Sequence, residues 1–196
     1  MELVLSFLSG FILGSIPFGF IVAKAKGVDI REQGSGNIGA TNVMRVVGKK
    51  EGILVFVLDF LKGFLPVAYW ARFTLFWGLP GVLAALGAIS GHMFTPWLKF
   101  RGGKGVATGF GAFVGLAPVP VLCAFGVWLF VLLISRIVSL SSILAAISLP
   151  FFLYTFHVQP SFFWFGVVAA VLVIVRHHSN IKRLIRGKEP RMGEKK

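Results

Sequence analysis

The sequence predicts an all-α fold: a polytopic membrane helix bundle of seven transmembrane helices, with the N-terminus outside and the C-terminus cytoplasmic. Three observations predict it. Hydrophobic residues fill 56% of the 196 positions, charged residues only 14%, and mean hydropathy is +0.85. A soluble domain of this size has no use for so much apolar surface. The apolar residues are gathered into long runs, and Lys and Arg are gathered between alternate runs.

The first run covers 3–23. It opens Met1-Glu2-Leu3, an acid where a secretory signal carries basic residues, and it is too long for a signal core. We therefore expect it to remain as the first span. Runs at 52–71 and 73–98 follow, each near the ~20 residues that cross ~30 Å of hydrocarbon. The stretch 105–134 would reach ~45 Å as one helix at ~1.5 Å per residue. Pro118 and Pro120 break it in the middle. That leaves two short spans, 105–117 and 119–134, which tilt or local thinning accommodates. Runs at 137–156 and 161–175 complete the set. Nothing between them is long enough to fold alone, so 1–196 reads as a single integral membrane domain.

Charge decides the count. With seven spans and the N-terminus outside, the inner segments are 24–51, 99–104, 135–141 and 176–196. They hold six, three, one and eight basic residues, 18 of the 20 in the chain. Six spans would put the basic tail opposite the 24–51 loop, against the positive-inside rule. The formal charge of +13 thus belongs to loops facing anionic lipid, and we expect no nucleic-acid partner. The expected location is a cell membrane, with the polar motifs at the cytoplasmic face. Gly10/Gly14, Gly87/Gly91, Gly105/Gly109 and Gly111/Gly115 have the spacing that lets helices approach closely. We read them as packing within one chain and expect a monomer. Cys123 lies alone in an apolar run and reads as a packed core residue.

Four polar stretches carry the chemistry. The first is Gly34-Ser35-Gly36-Asn37-Ile38-Gly39-Ala40-Thr41-Asn42-Val43-Met44-Arg45. Its glycines let backbone N–H groups close on a ligand, and a helical turn or two through Asn42–Val47 would follow. A glycine-rich loop feeding a helix is a natural anion site, and Arg45 adds a fork suited to phosphate. The second is Lys99-Phe100-Arg101-Gly102-Gly103-Lys104-Gly105-Val106-Ala107-Thr108. It lacks the P-loop spacing. Lys99 and Arg101 serve equally well as inner-face anchors, whereas Lys104 between two glycines at a helix start favours phosphate. The third, Ser135–Ser142, offers hydroxyls that cap a helix; Ser142 lies deepest and is the functional candidate. In the fourth, His177 and Asn180 share a helix face beside the inner-face cations. His178 faces solvent.

Asp59 and Lys62 sit three apart within a span. Intramembrane charge invites a functional reading, but a mutual ion pair gives the structural one the edge. His92 and His157 receive no role. The first inner loop has only Asp29, Glu32 and Glu51 as acids, which argues against a metal site or Mg²⁺-dependent transfer. No Gly-x-Ser-x-Gly or Cys/His pairing offers a covalent nucleophile, and no His-x4-Asp pattern of thioester-using acyltransferases is present. Ser135-Arg136 has a counterpart in membrane lipid phosphatases, but no His or acid supports it.

Taken together, Gly34-Ser35-Gly36-Asn37-x-Gly39-x-x-Asn42-x-x-Arg45, Gly102-Gly103-Lys104-Gly105-Val106-Ala107-Thr108, the Ser135–Ser142 stretch and His177-x-x-Asn180 resemble the bacterial membrane acyl-phosphate:glycerol-3-phosphate acyltransferases. The resemblance covers nearly the whole chain in motif order, length and topology. It implies transfer of a fatty acyl group from acyl phosphate to the sn-1 hydroxyl of glycerol 3-phosphate. The products would be lysophosphatidic acid and phosphate, the first step of phospholipid biosynthesis. Acyl-CoA and acyl-carrier protein would not be donors, and no cofactor is implied. The partners are then acyl phosphate, glycerol 3-phosphate and membrane lipid.

An activated mixed anhydride needs positioning and charge stabilisation and no covalent intermediate. Arg45 and Lys104 are accordingly expected on phosphates, with Ser142, His177 and Asn180 orienting glycerol 3-phosphate. Ser35, Gly36, Asn37, Gly39, Asn42, Gly102, Gly103 and Thr108 are expected to contribute to binding. Either His177 or the donor's own phosphate accepts the hydroxyl proton, with the substrate-assisted route favoured. The rival from another class is a transporter or flippase of a phosphorylated solute, which would want polar groups at mid-membrane and paired repeats.

Overall fold

The structure, a computed structural model, describes residues 1–72 and 78–193. These residues form helices and turns, in two compact units, Met1–Leu116 and Ala117–Lys196. In order, the helices are α1 (Glu2–Ser15), α2 (Phe18–Ala25), α3 (Ala40–Val46), α4 (Lys49–Trp70), α5 (Leu79–Met93), α6 (Val106–Leu116), α7 (Pro118–Ser135), α8 (Val138–Thr155), α9 (Pro160–Arg176) and α10 (His178–Ile185).

Five stretches among the described residues are long and apolar enough to cross a membrane: Glu2–Ala25, Lys49–Trp70, Leu79–Leu98, Pro118–Ser135 and Val138–Thr155. α9 and α10 make a sixth if taken together, although a 59° bend separates them. Three boundaries differ from expectation. The first run is not one helix, because Pro17 breaks it between α1 and α2. The fourth span, expected at 105–117, yields only the 11 residues of α6, ~16 Å at ~1.5 Å per residue and about half the hydrocarbon thickness. The expected third span begins at residues 73–77, outside the described residues; what is described is α5 and a 3₁₀ turn at Pro96–Leu98.

In the first unit, α1 packs on α5, α4 on α6, and α3 lies on α4. The glycine spacings explain how close these helices come. A side chain at Gly10 or Gly14 would strike the backbone of Ala84 or Ala88, and one at Gly87 or Gly91 that of Phe7 or Phe11. The two motifs thus face each other, as expected for packing within one chain. Gly111 meets the Phe60 backbone in the same way. Gly105 differs: its φ of 78° makes the turn before α6, and a side chain at Gly109 would meet the end of Ile89 at an ordinary contact distance of 3.7 Å.

The α1–α2 break is sealed by other elements. Pro17 has no N–H, and carbonyls ending α1 need donors. Thr95 Oγ1 donates to the Ser15 carbonyl (2.6 Å), and Lys62 Nζ to the Ile16 carbonyl (2.8 Å). Trp97 Nε1 donates to Ser15 Oγ (3.0 Å).

In the second unit, α8 packs between α7 and α9. Arg136, in the left-handed region at φ 59°, ends α7. Surfaces are inverted relative to a soluble domain: Leu133, Ile134 and Phe130 stand 79%, 70% and 66% exposed, while Ser139, Ser141 and Ser142 are buried. Such a surface is solvated by lipid.

Candidate active site

The first loop is built around Asn42. Its Oδ1 accepts the Ser35 N–H (2.9 Å), and its Nδ2 donates to the carbonyls of Gln33 (3.0 Å), Asn37 (2.9 Å) and, more loosely, Ile30 (3.4 Å). Asn42 is buried. It was expected to meet substrate; in the structure its amide holds the loop's own backbone. Asn37 Oδ1 accepts the Gly39 N–H (2.8 Å) at the start of α3. Gly34 and Gly36 have φ of 61° and 69°, and a side chain at Gly34 would also meet Asn42 Oδ1. Ser35 is exposed at the loop tip. The expected helix exists as α3, but it has only seven residues, and Arg45 lies in its last turn, exposed. Arg45 therefore stands at the C-terminal end of α3 and not at a helix N-terminus.

Beneath this loop lies an apolar cluster of Ala23, Ile30, Ile38, Val43, Val55 and Leu98. Leu98 belongs to the 3₁₀ turn that leads into the second loop, so both loops are rooted in one cluster. Beside it, Arg31 pairs with Asp29 through two hydrogen bonds (2.9 and 2.6 Å) and stacks over Phe20 at 4.8 Å. The hydrogen bonds from Arg31 hold the Asp29 carboxyl down at about 2.

The second loop is held from α5. Gly102 N–H donates to the Met93 carbonyl and Gly103 N–H to that of His92, both at 3.1 Å. A side chain at Gly103 would occupy the space of the His92 ring. Lys99 and Phe100 take positive φ of 51° and 61°, an uncommon backbone for non-glycine residues. Half-buried Lys104 follows directly, one residue before the Gly105 turn. Thr108 is fully buried, and its backbone is where α4 approaches α6 at Gly63.

In the second unit, His177 caps α9 and is 2% exposed. Its Nδ1 lies 2.7 Å from the Val173 carbonyl. A carbonyl only accepts, so Nδ1 carries the proton and Nε2 is the basic nitrogen of the neutral ring. Asn180 Nδ2 donates to Glu189 Oε1, which also accepts from Ser139 Oγ (2.7 Å), while Arg183 Nε donates to Glu189 Oε2 (2.6 Å). Glu189 was not anticipated from sequence. Burial pushes its carboxyl up, but the hydrogen bonds from Ser139, Asn180 and Arg183, with the Arg183 charge, prevail and hold it below its ordinary value. Ser142 Oγ donates to the Val138 carbonyl (2.9 Å) and accepts from Trp128 Nε1 (3.2 Å). His178 is exposed, as expected.

A lipid-solvated helical protein with two glycine-and-cation loops, each suited to an anionic group, is the class these features define. The comparisons with known proteins give the family. Residues 4–187 match the glycerol-3-phosphate acyltransferase family, and the chain belongs to it. The chain is similar to the glycerol-3-phosphate acyltransferases of Desulforamulus reducens (44% identical, 98% of this chain and 96% of that one) and Aquifex aeolicus (46%, 92% and 94%). Among solved structures it is similar to PlsY (YgiH), an integral membrane glycerol 3-phosphate acyltransferase, in its glycerol 3-phosphate form. That match has a TM-score of 0.94 and 43% identity, and it covers 98% of this chain and 96% of that one. The lysophosphatidic acid form of PlsY matches with a TM-score of 0.91 and 42% identity, over the same shares of the two chains. The protein is thus an integral membrane acyltransferase of glycerol 3-phosphate, and the transporter reading falls away.

Proposed function

We propose that the acyl donor is acyl phosphate, that the acceptor is the sn-1 hydroxyl of glycerol 3-phosphate, and that the products are lysophosphatidic acid and inorganic phosphate. The observation that carries this reading is the pair of glycine-and-cation loops, ending in Arg45 and Lys104 and rooted in one apolar cluster. Two anion sites suit two phosphate-bearing substrates. The glycerol 3-phosphate and lysophosphatidic acid forms of PlsY support the acceptor and the product.

Arg45 and Lys104 are assigned to phosphates, with the backbone N–H groups of Asn37 and Ile38 and the Asn37 side-chain NH2 as further donors, since the N–H groups of Ser35, Gly36 and Gly39 are taken within the loop. The small residues Gly102 and Gly103 let the backbone come close. An apolar groove lined by Ile16, Pro17, Phe20, Ile21, Trp97 and Leu98 is where we place the acyl chain. Roles toward glycerol 3-phosphate are assigned to Ser142, His177 and Asn180. In the reaction the acceptor hydroxyl oxygen bonds to the acyl carbon. The bond from that carbon to the phosphate oxygen breaks, and phosphate leaves with the electron pair. We assign the hydroxyl proton to the departing phosphate, because the Nδ1 partner of His177 is a backbone carbonyl and not a carboxylate. Charge stabilisation and positioning then supply the catalysis.

We also hold to seven spans, with the N-terminus outside and α6 as the short fourth, in a bacterial inner membrane with the chemistry at the cytoplasmic face. The support is the placement of 18 of the 20 basic residues on one side.

The test is to give purified protein glycerol 3-phosphate with either palmitoyl phosphate or palmitoyl-CoA and to follow lysophosphatidic acid by mass spectrometry. Product from palmitoyl phosphate alone is expected. Product from palmitoyl-CoA alone, or from neither donor, overturns the reading.

A further inference from the structure

Three ionisable residues are buried within the first unit. Asp59, Lys62 and His92 are 2%, 4% and 4% exposed. Lys62 Nζ stands 2.7 Å from Asp59 Oδ1 and donates to the Ile16 carbonyl at 2.8 Å, so one ammonium serves both a carboxylate and the broken end of α1. It also lies 5.6 Å above the Phe18 ring. His92 Nδ1 is 3.7 Å from the same Asp59 oxygen. The other side of the His92 ring lies against Gly103, close enough that Gly103 has no room for a side chain. The His92 carbonyl accepts the Gly103 N–H. His92 therefore touches the buried ion pair with one ring nitrogen and the residue before Lys104 with its ring and its backbone.

Stability alone does not require this arrangement. Taking an ion pair out of water costs several kcal/mol per ion, and apolar residues of similar size serve as well or better. Charges within a span are costly again in lipid. A role in holding one geometry accounts for what packing does not.

The geometry points to Lys62, Asp59 and His92 as a relay of positioning residues for acyl transfer: the pair on α4 holds the His92 ring, and the ring and backbone of His92 set the Gly102–Gly103 turn that aims Lys104. The inference rests on the reading that Lys104 holds a substrate phosphate. Lys62 also ties the α1–α2 break to the same relay, so the groove beside Pro17 and the second loop share one anchor.

A double-mutant cycle tests it. Purified wild type, His92→Gln, Lys104→Ala and the double variant are assayed for kcat and KM, with thermal unfolding in the same detergent. We expect His92→Gln to lower kcat/KM about tenfold in the wild-type background and less than twofold in the Lys104→Ala background, since the loss acts through Lys104. Asp59→Asn, which keeps size and shape, carries the same cycle should His92→Gln fail to fold. Equal losses in both backgrounds, or no loss in either, overturn the relay. A Lys104→Ala variant as active as wild type strikes instead at the phosphate role of Lys104, which makes the two failures distinguishable.

Discussion

The two glycine-and-cation loops of the first unit look alike in sequence and are held by opposite means. The Gly34–Gly39 loop takes its hydrogen bonds from its own stretch of chain: Asn42, only a few residues on, binds the Ser35 N–H and the carbonyls of Gln33 and Asn37. The Gly102–Lys104 loop is held from outside, by carbonyls of His92 and Met93 and by the His92 ring against Gly103. Ile38 anchors the first loop in the shared apolar cluster, but its polar framework is local. The polar framework of the second comes from α5. Local hydrogen bonds therefore shape the first loop, and tertiary packing shapes the second.

Substitutions sharpen this contrast. The largest effect is expected from Lys104→Ala, where loss of a charge-assisted hydrogen bond of about 1.5–3 kcal/mol corresponds to roughly 10- to 100-fold in kcat/KM. Thermal unfolding should stay close to wild type. Gly103→Ala should do comparable harm through geometry, with about 1–3 kcal/mol lost to overpacking against His92 and a matching fall in unfolding temperature. Asn42→Ala should cost about 1–3 kcal/mol, because it removes a buried amide and leaves the Ser35 N–H and the carbonyls of Gln33 and Asn37 without that partner. Denaturation of the purified variant reads that cost, and the contrast predicts that its KM changes for one phosphate substrate and not the other. Ser142→Ala should be the mildest substitution, about 1 kcal/mol in stability and less than tenfold in rate, since the Ser142 hydroxyl bonds to its own helix and to Trp128.

Acid offers a weaker probe. Asp29 and Glu189 both titrate below their ordinary values in the fold. A group with a depressed folded pKa stabilises above its unfolded pKa, and that contribution fades as pH falls through the folded value. Stability should therefore decline below about pH 4.5, and Glu189→Gln should flatten that decline when unfolding temperature is followed against pH.

Much of this was legible in the residues, and what was not has physical causes. Apolar runs of span length located most helices, and Pro118 divided the long run where α6 gives way to α7. Pro17 was equally visible, yet a twenty-residue apolar signal outweighs one imino acid, so the α1–α2 break went unread. The motif residues stood out because glycine, asparagine and cations are rare in so oily a chain. Their division of labour did not: Asn42 looks like a ligand-binding amide and instead shapes the loop. His92 was given no role, because its partners lie on α4 and beyond the 3₁₀ turn, where no local spacing reveals them. Glu189 was missed because it lies in a polar tail with no apolar pattern, and only the fold brings Ser139, Asn180 and Arg183 to it.

The central claim, that each loop holds a substrate phosphate, is tested most directly by equilibrium binding of glycerol 3-phosphate to wild type, Arg45→Ala and Lys104→Ala, each checked for unchanged thermal unfolding. The account predicts that at least one variant binds about tenfold or more weakly, the equivalent of roughly 1.4 kcal/mol. Equal affinity in all three proteins would contradict it.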